Sequence, residues 1–263
     1  MKIGLVANRD HPQVRKVIKE IRNRGHVPAL IHPHQICVDY KNLNFDYDLY
    51  AVKVTSYSSL HSIAIAEENG VPTVNKSDAI RLSQDKIFCD ILLRKHGLNT
   101  PHTYFTENPE SLYCIRDRLQ FPMVAKPFNG SKNEATKINS FEELMNHPYH
   151  KMLYFQKFIP NDGYDRKIYV VDDQVFGVMR PSPLIKTYER KEDEERDPME
   201  INPQIEELAL KVGEIFNLDI FGIDILPYKN DYVVLDVNDF PGFRGVKPAG
   251  KVIADYLIKE ARR

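Results

Sequence analysis

FGIDILPYKNDYVVLDVNDFPGFRGV, residues Phe221 to Val246, is the stretch that decides the fold. Two apolar strands in it are separated by a turn and followed by a segment that contains proline and glycine. Because turn-forming residues run from Pro227 to Asp231, we predict an antiparallel hairpin centred near residue 230. Such a hairpin sets Asp224 opposite Asp236, with their Cβ atoms about 4.5–5.5 Å apart.

The second strand of this hairpin carries Asp236 and Asn238, which are two residues apart and therefore share one face. Adjacent carboxylates repel one another unless a cation neutralises them. Oxygen ligands suit Mg²⁺, which usually takes one or two carboxylates together with the phosphates of its substrate. The sequence thus predicts a metal site at Asp224, Asp236 and Asn238. The alternative is a pair of solvated acids at the strand ends, which the apolar neighbours Ile223 and Val237 make less favourable.

The composition of the chain narrows the classes of function. Its 263 residues, 42% hydrophobic and 28% charged with a formal net charge of -1, can bury a substantial core. A near-neutral chain provides no broad cationic field for nucleic acid, and no run approaches the roughly 18 apolar residues of a membrane helix. Three widely spaced cysteines, Cys37, Cys89 and Cys114, suit neither a disulfide framework nor a zinc site. We expect a cytoplasmic protein without nucleic-acid or membrane partners.

The order of predicted elements divides the chain into three parts. Strands and helices alternate up to residue 77, which is typical of a small parallel α/β lobe. One helix is predicted over residues 77–97, and strands around a short helix then indicate a smaller α+β lobe. KIYVVDDQVFGVMRPS is predicted to be a hairpin that turns at Asp172 and Asp173. The predicted domains are residues 1–77, 78–155 and 156–263.

A highly charged stretch runs from Lys186 to Glu200. It is too polar to pack against a core, and its apolar residues have no helical spacing. Two hypotheses remain for it: a solvated mobile loop, or a loop that folds over a ligand.

Lysines at other positions suit a phosphate ligand. Lys126 ends an apolar strand, where an unpaired ammonium group would be costly. The loop that follows contains Gly130 and Ser131 and can turn backbone N–H groups toward phosphate oxygens. An ordinary polar turn is the alternative for this loop, and an exposed helix lysine is the alternative for Lys86.

The order of these motifs resembles that of the ATP-grasp superfamily over nearly the whole chain. The motifs are SQDK at 83–86, VAKP at 124–127, QKFI at 156–159, a hairpin ending in Arg180, FGID at 221–224 and LDVNDFPG at 235–242. The N-terminal half is similar to RimK-type carboxylate–amine ligases, and the C-terminal half to inositol phosphate kinases. The resemblance implies an ATP-grasp fold of mixed α/β and α+β class, with an N-terminal pre-ATP-grasp α/β lobe and two α+β lobes that clasp ATP.

The resemblance also implies a role for each matching residue, with ATP and Mg²⁺ as cofactors and Mn²⁺ as an alternative ion. It implies that Lys86, Lys126 and the loop residues Gly130, Ser131 and Lys132 contact phosphates, and that Gln156, Lys157, Phe158 and Ile159 contact adenine. It implies a ribose contact for Asp165 and metal ligation for Asp224, Asp236 and Asn238. Catalytic roles are implied for Arg180 and Lys167, and substrate binding for Gly242 and Arg244.

Three functions are compatible with these residues. The favoured one is a ligase in which ATP phosphorylates a carboxylate of a small molecule or peptide and an amine then attacks the acyl phosphate. The alternative is a kinase that acts on a hydroxyl of a small polar acceptor such as an inositol phosphate. A polyphosphate acceptor would call for a cluster of cations that this near-neutral chain does not offer. A non-catalytic ATP-binding module is the third hypothesis.

Overall fold

The structure, a computed structural model, is described for residues 1–7, 11–35, 37–39, 41, 43–53, 56–127, 135–148, 152–182, 184 and 196–263. Its strands form three sheets. Within these residues, no helix has both the length and the apolar character needed to cross a bilayer.

The first sheet contains four parallel strands in the order β2-β1-β3-β4, flanked by two helices. These elements are β1 (Lys2–Ala7), α1 (Pro12–Asn23), β2 (Val27–Ile31), β3 (Leu49–Lys53), α2 (Tyr57–Glu68) and β4 (Thr73–Val74). The apolar stripe of α1 buries Val14, Val17 and Ile21, as expected from its helical spacing. The prediction of a parallel α/β lobe is confirmed here.

Two helices follow where the sequence predicted one. They are α3 (Ser77–Gln84) and α4 (Lys86–Lys95). Asp85 separates them because its backbone is extended and its side chain accepts hydrogen bonds from the N–H groups of Ile87 and Phe88. This is the geometry of an N-cap, so Lys86 becomes the first residue of α4 rather than a residue in the middle of a helix.

The second sheet is antiparallel, with the order β5-β8-β6-β7. Its elements are β5 (Thr103–Thr106), β6 (Met123–Pro127), β7 (Thr136–Ile138), α5 (Phe141–Met145) and β8 (Leu153–Lys157). A 3-10 helix at Pro109–Arg118 and strand β7 were not predicted. The core of this sheet is drawn from residues 104–155 alone.

The third sheet is also antiparallel, with the order β11-β10-β9-β12-β13. It comprises β9 (Tyr164–Val171), β10 (Gln174–Pro181), β11 (Asp197–Met199), β12 (Ile220–Tyr228) and β13 (Asp231–Asp239), with helices α6 (Pro203–Phe216) and α7 (Ala249–Glu260). The hairpin of β9 and β10 turns at Asp172 and Asp173, as predicted.

Part of the charged stretch is a strand, which the sequence did not predict. Residues 185–195 lie outside the described residues, but β11 pairs with the edge strand β10, with Met199 opposite Gly177. The side chains of Met199 and Ile201 pack directly against Gly177, so closely that a Cβ at this position would lie 2.7 Å from Ile201 Cδ1. Backbone pairing and these two apolar side chains offset the polarity of the segment.

The hairpin of β12 and β13 pairs Asp224 with Asp236, as predicted, but its turn is shorter than the predicted one. Only Lys229 and Asn230 form the turn, because the strands extend to Tyr228 and Asp231. The register then shifts between Asp224 and Ile225, since Ile225 pairs with Val234 and Leu235 is the extra residue of a β-bulge. The bulge restores the alignment of the two carboxylates that a regular two-residue hairpin would have lost.

The first and third sheets share one hydrophobic core, which includes Ile3, Val52, Ile220, Phe240 and Ile253. The division at 77/78 and 155/156 stays a prediction, and the second of these boundaries falls within β8.

Candidate active site

A cleft lies between the second and third sheets. Its walls combine apolar side chains with charged ones. The residues lining it are Lys86, Pro101, Val124, Lys126, Ala135, Gln156, Lys157, Phe158, Ile159, Asn161, Asp165, Arg180, Ser182, Leu184, Asp224, Leu226, Leu235 and Asp236. An apolar cleft with a few converging polar groups is the usual form of a small-molecule site.

Lys126 lies on one wall of the cleft, and its hydrogen bonds connect that wall to the other. Its Nζ donates to Gln156 Oε1 at 2.7 Å and to the carbonyl oxygen of Leu235 at 3.4 Å. Gln156 is 2% exposed and its Nε2 donates to Thr103 Oγ1 at 3.1 Å, which fixes the orientation of the amide. Since Leu235 is the bulge residue of β13, the lysine links the second sheet to the third.

Two buried ion pairs lie on the third sheet, and three of their four residues, Asp165, Arg180 and Asp224, line the cleft. Arg180 Nη2 donates to Asp165 Oδ2 at 3.1 Å, and Lys167 Nζ donates to Asp224 Oδ1 at 2.7 Å. Both pairs join residues that are directly opposite on neighbouring strands. Burial raises the pKa of Asp165, and the Arg180 guanidinium opposes that shift. The cations therefore keep carboxylates in place on a wall where isolated charges would be costly.

The predicted metal ligands lie on the same face of the sheet. Asp224 and Asp236 are paired across β12 and β13, and Asn238 is two residues further along β13, opposite Gly222. The part of the chain that the structure describes contains no cluster of three or more His, Cys, Asp or Glu side chains placed for a metal ion. The candidate set is two carboxylates and an amide, which fits a hard cation whose remaining ligands are phosphate oxygens. Lys86 and Lys126 line the same cleft as these carboxylates, so the donor set fits Mg²⁺-ATP.

The residues predicted to contact adenine line the cleft, whereas those of the predicted phosphate loop are outside the described part of the chain. Gln156, Lys157, Phe158 and Ile159 line the cleft as a continuous segment. The N–H groups of Lys157 and Phe158 donate to the carbonyl oxygens of His102 and Pro122, so these two donors are already used within the protein. The predicted loop contacts Gly130, Ser131 and Lys132 lie outside the described residues.

The segment after β13 contains the predicted substrate residues Gly242 and Arg244. Phe240 and Phe243 adopt positive φ values of 31° and 49°, which is uncommon for residues other than glycine. The Phe243 ring stacks on Tyr169 at a centroid distance of 5.0 Å. Backbone strain of this kind is concentrated at functional sites.

Arginine and histidine residues that the sequence did not single out border this segment. Arg196 Nη1 donates to the hydroxyl of Tyr169 at 2.9 Å, and a Cβ at Gly245 would lie 3.3 Å from Arg196 Cβ. His11 lies against Gly242. These residues come from distant parts of the chain and belong to no local motif, so sequence spacing gave no signal for them.

The fold and this cleft define the class of protein as an ATP-grasp enzyme. The RimK domain ATP-grasp protein of Sphaerobacter thermophilus superposes with a TM-score of 0.77 at 17% identity, covering 98% of this chain and 100% of its own. The D-alanine–D-alanine ligase of Bacillus anthracis, solved with ATP, has a TM-score of 0.73 at 15% identity, covering 100% and 98% of the two chains.

Residues 83–260 match the RimK-like ATP-grasp domain, and the chain belongs to that family. The alpha-aminoadipate–LysW ligase LysX of Sulfurisphaera tokodaii is 23% identical over 99% of this chain and 98% of its own. The coenzyme gamma-F420-2:alpha-L-glutamate ligase of Methanococcus maripaludis is 31% identical over 73% of each chain.

The protein is therefore an ATP-dependent carboxylate–amine ligase of the ATP-grasp type. The predicted fold, the RimK-type resemblance and the ligase function are confirmed. The kinase alternative is not favoured, because the relatives named here are ligases.

Proposed function

We propose that the protein joins the amino group of an acidic α-amino acid to a carboxylate of a peptide or small molecule. One observation carries the proposal: Arg180 lines the cleft together with Asp224 and Asp236, and Arg196 and Arg244 lie beside Gly245 and Gly242 in the segment after β13. Guanidinium groups suit planar carboxylates and phosphates because they form paired hydrogen bonds with them. The relatives are named for aminoadipate or glutamate, which agrees with an amine substrate that carries two carboxylates.

The nucleotide occupies the cleft in this proposal. Lys86 and Lys126 contact its phosphates, assisted by the loop that contains Gly130, Ser131 and Lys132. The segment 156–159 borders the adenine, and Asp165 lies at the ribose side. Support comes from the position of Lys86, Lys126 and the segment on the walls of one cleft.

Asp224, Asp236 and Asn238 would hold Mg²⁺, and Mn²⁺ suits the same oxygen ligands. A bound divalent ion would neutralise charge on the phosphate groups. Lys167 keeps the Asp224 carboxylate oriented through their 2.7 Å hydrogen bond. Lys167 is thus a positioning residue in this proposal.

Two chemical steps follow. An oxygen of the substrate carboxylate attacks the γ-phosphorus of ATP, and ADP leaves. Arg180 lines the same cleft, and its guanidinium stabilises the charge that develops on the transferred phosphoryl group. The neutral amine then attacks the carbonyl carbon of the acyl phosphate, phosphate leaves, and the nitrogen loses a proton.

The amino acid is placed at the segment after β13. Its α-carboxylate pairs with Arg196, which is supported by Tyr169, and with Arg244. Arg196 directly precedes β11, and its side chain is held by the hydroxyl of Tyr169.

The proposal is tested by incubating the protein with Mg²⁺-ATP, a library of peptides and organic acids, and single amino acids. ADP, free phosphate and new amide products are measured separately. We expect amide formation with L-glutamate, L-aspartate or L-2-aminoadipate, and a KM for the amino acid raised about tenfold in Arg196→Met. Phosphorylated alcohols, or equal rates with L-lysine, would contradict the proposal.

A further inference from the structure

A small pocket lies beside the nucleotide cleft, between α4, the second sheet and β13. It shares Lys86, Lys126, Leu235 and Asp236 with the cleft, and it is also lined by Asp90 of α4. Asp90 follows Lys86 by one helical turn, so the two side chains lie on the same face of α4. The mechanism proposed above gives no role to this acid.

Asp90 places a carboxylate in this pocket where solvent hardly reaches it. The residue is 8% exposed, and its Oδ2 atom has no hydrogen-bond partner within the described part of the chain. Burial raises the pKa of Asp90, and the first of the groups that oppose this shift is the hydroxyl of Thr103, followed by Arg94, Thr100 and Lys126. A buried acceptor is therefore available beside the Thr103 hydroxyl.

Thr103 connects this acid to the wall of the cleft. It lies directly opposite Gln156 in the pairing of β5 with β8. Its Oγ1 accepts from Gln156 Nε2 at 3.1 Å and donates to the carbonyl oxygen of Pro101 at 3.0 Å. A hydroxyl group has one proton and two lone pairs. Because the Pro101 carbonyl and the Asp90 carboxylate are both acceptors, the proton is directed toward them and a lone pair is directed toward Gln156.

The direction of this proton determines how the amide of Gln156 is oriented. The lone pair of Thr103 pairs with Nε2, which places Oε1 toward Lys126, and Oε1 accepts from Lys126 Nζ at 2.7 Å. In the reversed orientation, the NH₂ group of the amide would face an ammonium group, so that two donors would meet. Gln156 is 2% exposed, so water cannot readily replace a lost hydrogen bond there.

We propose that Thr103 and Asp90 are positioning residues for the nucleotide: they orient the amide of Gln156, and its oxygen holds the Lys126 ammonium group where the phosphates bind. This inference rests on the proposed function, in which Lys126 contacts the phosphates of ATP. An ammonium group that is already held in place loses less conformational freedom when the nucleotide binds. Thr103 and Asp90 therefore increase the affinity for ATP without touching it.

Calorimetry with Mg²⁺ and a non-hydrolysable ATP analogue tests the proposal. Thr103→Val keeps the shape of the side chain but replaces the hydroxyl with a methyl group, so Gln156 Nε2 loses its acceptor. We expect this variant to bind the analogue about tenfold more weakly than wild type. Thr103→Ser keeps the hydroxyl and should bind within about twofold of wild type. Thr106→Val, on the opposite face of β5, is the matched control and should bind as wild type does.

A double-mutant cycle distinguishes positioning of Lys126 from a general loss of structure. If Thr103 acts through Lys126, Thr103→Val has no further effect on nucleotide affinity in the Lys126→Met background. A merely structural role would weaken binding by the same factor in both backgrounds.

Asp90→Leu is the second variant, and it removes the carboxylate from the pocket. We expect it to bind the analogue about threefold more weakly than wild type, since the Pro101 carbonyl still accepts the Thr103 proton. Binding by Asp90→Leu that equals or exceeds that of wild type would contradict the role of Asp90.

The outcomes separate this inference from the proposed function. If Lys126→Met weakens nucleotide binding, but Thr103→Val binds as wild type does or has the same effect in both backgrounds, this inference is wrong and the role of Lys126 stands. If Lys126→Met binds the nucleotide as wild type does, the phosphate contact of Lys126 in the proposed function is wrong, and the inference with it.

Discussion

Lys126 connects the two walls of the nucleotide cleft through Gln156 and Leu235. At the scale of the residue, we predict that Lys126→Met weakens binding of Mg²⁺-ATP about tenfold or more, because a charge-assisted contact to phosphate is lost. The melting temperature of the ligand-free protein should change little. Calorimetry with a non-hydrolysable ATP analogue measures the effect, with the exposed Lys95→Met as control. A large loss of stability with unchanged nucleotide affinity would identify Lys126 as a structural residue.

Asp236 provides the test of the metal site. Asp236→Asn keeps the shape of the side chain and removes one negative charge from the cleft wall. We expect Mg²⁺-dependent ATP turnover to fall about a hundredfold, since the ion loses a charged ligand, while the melting temperature stays near that of wild type. Asp231→Asn, at the other end of β13, is the matched control. Wild-type turnover by Asp236→Asn would remove Asp236 from the set of ligands.

The alignment of Asp224, Asp236 and Asn238 could be predicted from the sequence because it follows from local rules, and their role as metal ligands stays a prediction. A spacing of two residues gives one face of a strand, and a hairpin brings Asp224 opposite. The residues around Gly242 could not be predicted in this way. His11, Tyr169 and Arg196 reach Gly242 and its neighbours from three separate regions, and only the packing of two sheets brings them together.

At the scale of the element, the side chain of Asn75 forms hydrogen bonds with the backbone at the start of β12, as a neighbouring strand would. Its Oδ1 accepts from the N–H groups of Asp219 and Ile220 at 3.0 and 2.9 Å, and its Nδ2 donates to the carbonyl oxygen of Ile220 at 2.7 Å. The residue is 0% exposed. These three bonds attach the first sheet to the third.

We predict that Asn75→Ala lowers the free energy of unfolding by about 2–4 kcal/mol, because the N–H groups of Asp219 and Ile220 lose their acceptor and the carbonyl oxygen of Ile220 loses one of its donors. Chemical denaturation followed by fluorescence measures this change. Asn69→Ala, which removes a single exposed bond to the carbonyl oxygen of Ile65, should change it by less than about 1 kcal/mol. Equal effects of the two variants would show that the attachment of the sheets does not depend on Asn75.

Two elements show why sequence periodicity gives the type of an element better than its ends. The apolar spacing over residues 77–97 continues through Asp85, so it predicts one helix, but the capping side chain of Asp85 starts a second one. In the hairpin of β12 and β13, composition indicates a long turn. The register depends instead on the bulge at Leu235, and the placement of a bulge is set by contacts with neighbouring strands.

On the scale of the whole molecule, acidic side chains collect where the C-terminal end of α7 meets the third sheet. Burial raises the pKa of Asp219, and the charges of Glu260 and Asp172 raise it further. When the pKa of a carboxyl group is higher in the folded state than in the unfolded state, the group stabilises the fold fully only at pH values below its unfolded-state pKa. That contribution is lost as the pH rises through the folded-state value.

We therefore predict that Asp219→Asn raises the melting temperature at pH 7 by about 1–2 °C, since it removes the unfavourable charge. The gain should shrink as the pH is lowered toward the ordinary range of a carboxyl group. Scanning calorimetry from about pH 4 to about pH 8 measures the gain in melting temperature and its dependence on pH. A gain that is the same at every pH would exclude the charge as its cause.

The second sheet has a hydrophobic core of its own, whereas the first and third sheets share one. This arrangement has a consequence for the catalytic cycle. We expect the second sheet to move as a unit when ADP leaves the cleft, while the segment that carries Gly242 stays packed against the first sheet. Exchange of nucleotide would then leave the contacts of this segment unchanged.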